Sequence, residues 1–173
     1  MDMDLTVPQF VPQKVCVSCD GCCRFKDEQS LWRPKISADE IDSDLKLTDK
    51  IFAKDKLDTL KQLKAVVEKG VCRCVHFDLQ ANLCKIYEDH PFDCALYPFL
   101  LMRQEKEVFV GVHLNCPFIQ NEYGRDAFEA FVLTLRGYFS QENIHKFLQR
   151  NLHLATDYHG FEDEIAVLFK VDL

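Results

Sequence analysis

From Thr48 onward the apolar residues Ile51, Phe52, Leu57, Leu60, Leu63, Val66 and Val67 recur at helical spacing, with lysines between them and Gly70 behind them. Residues three and four apart share one helix face, so the pattern predicts an amphipathic helix stopped by the glycine. Upstream, Ser37-Ala38-Asp39-Glu40 reads as a capping box that opens a short helix running to about Lys46. Beyond Gly70 the period shortens. Val71 to Phe77 and Leu83 to Tyr87 read as strands around Leu79–Asn82, and Phe99 to Arg103 with Val108 to His113 around Gln104–Glu107, which predicts two β-hairpins. After Cys116-Pro117 helical spacing returns. Phe128, Phe131, Val132, Leu135, Tyr138 and Phe139 form one stripe, and Ile144, Phe147, Leu148 and Leu152 a second with Ser140 as its cap. The tail from His159 to Leu173 fits a short helix or a strand equally.

These elements predict an α+β fold. A small cysteine-rich metal-binding domain of two hairpins and helices is expected over residues 1–120, with a helical extension over 121–173 packed on it. Composition agrees with a compact chain: 47% of residues are hydrophobic, and 14 Phe stand against 6 Gly and 6 Pro. A chain of 173 residues buries about 70% of its unfolded surface, so a metal is not needed merely to supply a core.

A net charge of −7 and an isoelectric point near 5.3 argue against nucleic acid or an anionic membrane as partner, since both ask for a sustained basic surface. The first residues carry no basic region followed by an apolar run, and no stretch approaches the roughly 18 apolar residues of a membrane span. A soluble, cytoplasmic protein is expected. In that reducing setting nine cysteines, an odd number, do not suggest a disulfide framework.

Four of those cysteines, Cys16, Cys19, Cys22 and Cys23, lie within the run C-V-S-C-D-G-C-C. Thiolates two residues apart let a short loop wrap a soft ion or cluster, with backbone N–H groups turned toward the sulfurs. Asp20-Gly21 supplies the turn. A second, looser group contains Cys72, Cys74, Cys84, Cys94 and Cys116.

The order C-x2-C-x2-C-C, a cysteine before an apolar strand, C-K-I-Y, C-A-L-Y-P and a final Cys116-Pro117 resembles the CxxCxxCC cysteine-cluster family, a zinc- or iron-chelating domain, from roughly Lys14 to Phe118. The resemblance implies metal ligation by Cys16, Cys19, Cys22, Cys23, Cys74, Cys84, Cys94 and Cys116. His90-Pro91 stands where the family has Arg-Pro, and Ala95 where a basic residue commonly follows the cysteine. Cys72 has no family counterpart and reads as a core cysteine or reserve ligand.

Adjacent side chains diverge on a strand or helix, so Cys22 and Cys23 are expected to face two sites. One division gives Cys16, Cys19, Cys22 and Cys116 to one centre and Cys23, Cys74, Cys84 and Cys94 to another; a single centre with free cysteines is the alternative. The triplet spacing resembles ferredoxin ligation and tilts the reading toward an iron–sulfur cluster of the 4Fe–4S type, with zinc next.

His76 and His113 are further candidate ligands, and Tyr87 and Tyr97 candidate walls of the site. Glu88, Asp89 and Asp93 flank Cys94, where capping the turn before Pro91 suits them better than acid–base work. No phosphate loop, nucleophile elbow or dinucleotide fingerprint occurs, so no catalytic residue and no organic cofactor site is assigned. The expected role is metal chelation in redox chemistry, metal handling or maturation of a protein partner. Two alternatives stand beside it. One is a methyltransferase-like enzyme, through resemblance to the cysteine-cluster part of flagellin lysine methylases; the other is a structural zinc module presenting the helices between Tyr123 and Tyr158.

Overall fold

The computed structural model describes residues 5–16, 19, 21–42, 57, 58 and 61–173. Lys69 and Gly70 both take positive φ, 52° and 80°, the left-handed pair that a two-residue hairpin turn requires. That turn joins β1 (Ala65–Glu68) to β2 (Val71–Cys74), antiparallel, with Ala65 opposite Cys74 and Glu68 opposite Val71. The last part of the stretch expected as a helix is therefore a strand. Val66 and Val67 are β-branched and suit either period, and the turn decides between them. Residues 48–56, 59 and 60 of that stretch lie outside the described residues.

The chain breaks at Val75-His76 before β3 (Phe77–Asp78), which pairs with β4 (Leu83–Cys84) so that Phe77 faces Cys84. The first predicted hairpin is thus present but short. Its loop is closed by Asp78, whose Oδ1 accepts the N–H groups of Gln80 (2.9 Å) and Ala81 (3.0 Å). These bonds hold the Asp78 carboxyl below its usual range.

By compactness the chain divides into a unit of Pro12–Cys94 and a unit of Met1–Val11 with Ala95–Leu173. In the first, α1 (Gln13–Cys16) and α2 (Ala38–Asp42) are single turns. The predicted capping box is present: Ser37 Oγ accepts the Glu40 N–H at 3.1 Å, and Glu40 Oε2 accepts the Ser37 N–H at 2.8 Å. The expected continuation over 43–46 lies outside the described residues. Ile36, Leu63, Cys74 and Phe77 form a small apolar core, with Cys23, Phe25 and Leu57 packed on it. Beside it Arg33, 4% exposed, donates to Asp58 Oδ2 (2.8 Å), Gln62 Oε1 (3.1 Å) and the Ser30 carbonyl (3.2 Å). A buried charge persists only when its donors are satisfied in this way.

Helix α3 (Phe92–Leu96) leads into the second unit. There β5 (Phe99–Gln104), β6 (Glu107–His113) and β7 (Ile165–Val171) form an antiparallel sheet with β6 in the centre. The second predicted hairpin is present, and the ambiguous tail is a strand. Because β7 pairs along β6, residues 165–171 share a sheet with residues 107–113.

Helices α4 (Pro117–Glu122), α5 (Asp126–Phe139) and α6 (Glu142–Arg150) follow the predicted stripes. Phe128, Phe139 and Phe147 are at most 2% exposed, each stabilising the unit by about 1.5–3 kcal/mol through burial. Two details differ from expectation. Gln141, not Ser140, precedes α6; the Ser140 hydroxyl instead donates to the Gly137 carbonyl (2.8 Å) at the end of α5. Leu152 lies past α6 and is exposed. At the other end of the unit the Phe10 ring packs against Phe118 and Phe131, at centroid distances of 5.3 and 4.9 Å. The fold class is α+β, and no helix among the described residues is long and apolar enough to cross a membrane.

Gly111 marks the tightest point of the sheet, where β6 and β7 shift register. A Cβ there would overlap Met102 Sδ and stand 2.9 Å from Ile165 Cγ2 and 3.2 Å from the Ala166 carbonyl oxygen. Gly111→Ala is therefore expected to cost about 1–3 kcal/mol by overpacking. Urea unfolding followed by far-ultraviolet circular dichroism measures it; an unchanged midpoint would show that the sheet yields at no cost.

Candidate metal centre

The first cysteine run reaches the strands through backbone pairing. Arg24 bridges Arg73 antiparallel, the Cys74 N–H donates to the Cys23 carbonyl (2.9 Å), and the Phe25 N–H donates to the Cys72 carbonyl (2.9 Å). Residues 23–25 thus extend the β1–β2 pair by a further strand-like segment, which sets Cys23 beside Cys74. Pairing of β3 with β4, continued by the Lys85 N–H to the His76 carbonyl (2.9 Å), brings in Cys84. Cys94 enters from the middle of α3.

The electrostatics of these thiols show one group. The Cys23 thiol is pushed far up, first by its contact with Cys22, then by burial, then by the charges of Cys22, Cys94 and Cys74. Burial pushes Cys74 up to about 11, with Cys84 and Cys22 adding to it. Burial also raises Cys84, with Cys22 adding, and raises Cys94, with Cys74, Asp93, Cys22 and Cys84 adding. Five thiols from four chain segments therefore lie close enough to oppose one another's ionisation. Two carry a built-in counterweight: the His76 backbone N–H donates to the Cys74 sulfur, and the Ile86 backbone N–H to the Cys84 sulfur, each two residues on. Such N–H groups favour the thiolate and are what a metal-bound sulfur needs around it.

The Cys22 and Cys23 side chains, expected to diverge, instead come together. Their sulfurs are 4.0 Å apart. The reason is local, since the Arg24 N–H returns to the Gly21 carbonyl (3.3 Å) in a turn, where the divergence of neighbours on a strand or helix does not apply. Cys22 accordingly groups with Cys23, Cys74, Cys84 and Cys94. Cys16 ends α1 and meets the hydroxyl of Tyr87, while Gln13 Nε2 donates to Glu88 Oε1 (3.3 Å) alongside. Cys19 stands next in the loop, its sulfur against Gly21.

Cys94 is held by a clasp that the sequence pattern did not reveal. Glu40, already bonded to Ser37, also accepts the Phe92 N–H at 2.6 Å, and Asp93 Oδ2 accepts the Lys35 N–H at 2.8 Å. Two carboxylates thus tie α3 to residues 35–40. Burial and the nearby Asp93 raise the Glu40 carboxyl, while its hydrogen bonds to Phe92 and Ser37 draw it back. The capping box was the visible half of this arrangement; the partner lies 52 residues away.

The other candidate ligands are described each in its own surroundings. Cys72 lies by Asp27 and Glu28, which add to the effect of burial in raising its thiol. Cys116 belongs to the second unit, where it is buried ahead of α4. His113, in the same unit, has Nδ1 bonded to the Tyr97 hydroxyl (2.9 Å), while Nε2 lies 3.5 Å from Glu164 Oε2. His76 is buried. Arg33 is committed to Asp58. Among the described residues, no three His, Cys, Asp or Glu side chains already stand as a set that could close on one ion. The donor set is all sulfur, with backbone N–H groups at Cys74 and Cys84, the chemistry that zinc and iron accept.

A family model described as CxxCxxCC: Putative zinc- or iron-chelating domain matches residues 15–123. No curated protein and no solved structure matches the chain.

Thiols held above the ordinary cysteine range, Cys74 at about 11, are protonated at pH 7 and must lose their protons to bind metal. Zinc titrated into the reduced protein in weak buffer is expected to expel close to one proton for each thiolate formed. The apparent affinity should rise by about tenfold per thiolate for each unit of pH on the way from pH 6 to 8. Uptake without proton release, followed with a pH indicator, would contradict the thiol assignment.

Proposed function

The chain belongs to the CxxCxxCC family, and from that premise we propose that the thiol group anchored on Cys23, Cys74, Cys84 and Cys94 holds iron, as an iron–sulfur cluster, in a redox or metal-handling role in the cytoplasm. The observation that carries this reading is the convergence of five thiols, two of them with backbone N–H groups aimed at sulfur. Four thiolates are the complement that cubane and two-iron clusters take, and N–H groups at sulfur tune their potentials. Eight of the nine cysteines fall in the unit Pro12–Cys94, a surplus over the four of a structural zinc knuckle. The surplus includes the loop triplet Cys16, Cys19 and Cys22, whose spacing is that of cluster-binding loops. A bound cluster would supply one-electron transfer. The protein's own part is to bury the sulfurs, orient them by strand register and donate N–H groups. Cys116, in the other unit, is not required.

Zinc is the second reading, and one observation favours it. Among the described residues the apolar core of the unit is a small cluster, Ile36, Leu63, Cys74 and Phe77, and small cores are commonly stapled by a structural metal.

Anaerobic purification followed by metal and sulfide analysis separates the two. Iron–sulfur predicts a brown protein, about four iron and four sulfide per chain for a cubane, and visible absorption that bleaches on reduction. A colourless protein with stoichiometric zinc replaces that reading with the second. Material that never contains either metal overturns both.

A further inference from the structure

Cys94 is carried by a helix of five residues, α3, too short to hold its own shape in water. Pro91, just before it, has no N–H with which to bond a neighbour. The helix is therefore held from outside, at its first two residues. Glu40 Oε1 accepts the Phe92 N–H at 2.6 Å, and Asp93 Oδ2 accepts the Lys35 N–H at 2.8 Å. Glu40 is itself fixed, because its other oxygen accepts both the N–H and the hydroxyl of Ser37 at 2.8 Å. Residues 34–36 are fixed in turn: the Leu63 N–H donates to the Pro34 carbonyl and the Ile36 N–H to the Lys61 carbonyl, each at 2.8 Å, with Lys35 bridging Gln62 antiparallel. From Leu63 the chain runs directly into β1, where Ala65 stands opposite Cys74. A continuous path of hydrogen bonds and main chain thus leads from α3 to the strand pair that carries Cys74, and none of these bonds involves a sulfur.

Resting on the reading that the thiol group holds metal, we propose that Glu40 and Asp93 are positioning residues for Cys94, which set its place relative to Cys74 without touching the metal. The contacts argue against two other roles. As metal ligands, the same oxygens would have to leave main-chain N–H groups, among them those of the buried Ser37 and Phe92, and a buried N–H without an acceptor is strongly disfavoured. As bare negative charges, they would repel thiolates beside them. What the site uses is then an acceptor oxygen held in a fixed direction. An amide oxygen can take that place at Asp93, where one main-chain N–H is accepted.

The test uses the full reduced chain with zinc as the probe metal. Glu40→Ala and Asp93→Ala each remove an acceptor and are expected to weaken zinc binding by about tenfold to a hundredfold, the scale of effect of groups that orient a metal ligand. Asp93→Asn keeps an oxygen and loses the charge, and should bind zinc as the wild type does. In zinc-loaded Asp93→Ala, Cys94 should be alkylated by iodoacetamide about tenfold faster than in the wild type, with Cys23 and Cys74 unchanged, as mapped by mass spectrometry. Equal exposure of all three thiols would show a general loosening of the unit and overturns the proposal. So does Asp93→Asn binding as weakly as Asp93→Ala, since the charge would then be what acts. Hydrogen exchange of the wild-type chain needs no variant to fold: the Lys35 and Phe92 amides should exchange as slowly as that of Cys74, and exchange of either at the rate of an open loop also overturns the proposal. Wild-type chain that takes up neither zinc nor iron while those amides stay slow sinks the metal reading, and the positioning role with it, but leaves the clasp standing.

Discussion

The antiparallel pairing of residues 23–25 with β2 is the constraint on which the thiol group depends. Two backbone hydrogen bonds of 2.9 Å fix the register. They set Cys23 against Cys74, with the sulfur of Cys22 4.0 Å from that of Cys23. Side chains alternate along a strand, so a slip of one residue would send Cys23 to the opposite face. What gathers the sulfurs is thus a property of the main chain, and the thiols themselves, which repel once ionised, work against it.

Local signals were readable in advance. The capping box at Ser37-Glu40, the second hairpin and the stripes of α5 and α6 each depend on residues within a few positions of one another. Ala65–Glu68 misled because Val66 and Val67 satisfy both periods, and the deciding fact, a left-handed Lys69 before Gly70, leaves no mark in an apolar pattern. Ser140 was read as a cap because it precedes an apolar stripe, yet the hydroxyl bonds backward to the Gly137 carbonyl. At the site, the identity of the thiols was legible and their grouping was not. Whether Cys22 and Cys23 converge depends on a turn between Gly21 and Arg24, and Glu40 reaches Phe92 only after the chain has folded.

Among the described residues of the unit that carries the thiols, two cysteines belong to the apolar cluster. Cys74 is in the core and Cys23 packs against it. A neutral thiol behaves there as a small hydrophobe and can be buried without cost. As a thiolate it loses that advantage unless a cation or N–H donors compensate. The remaining rigidity comes from polar groups used to capacity: Arg33 shared between Asp58 and Gln62, and Glu40 between Ser37 and Phe92. Such networks stabilise only when every member is satisfied, which ties the geometry of the site to side chains that never touch it.

Burial is also uneven across the group, and this asymmetry decides where charge can rest. Cys74 is buried and Cys23, Cys84 and Cys94 are partly so, while Cys22 is open to water. Four thiolates around a divalent ion leave a surplus of two negative charges, and a low-dielectric interior penalises that surplus far more than water does. Arg73 offsets part of it beside Cys74, where it donates to the Cys74 carbonyl at 2.9 Å. Any charge the thiols come to carry is therefore hydrated best on the side of Cys22, whose residue is exposed.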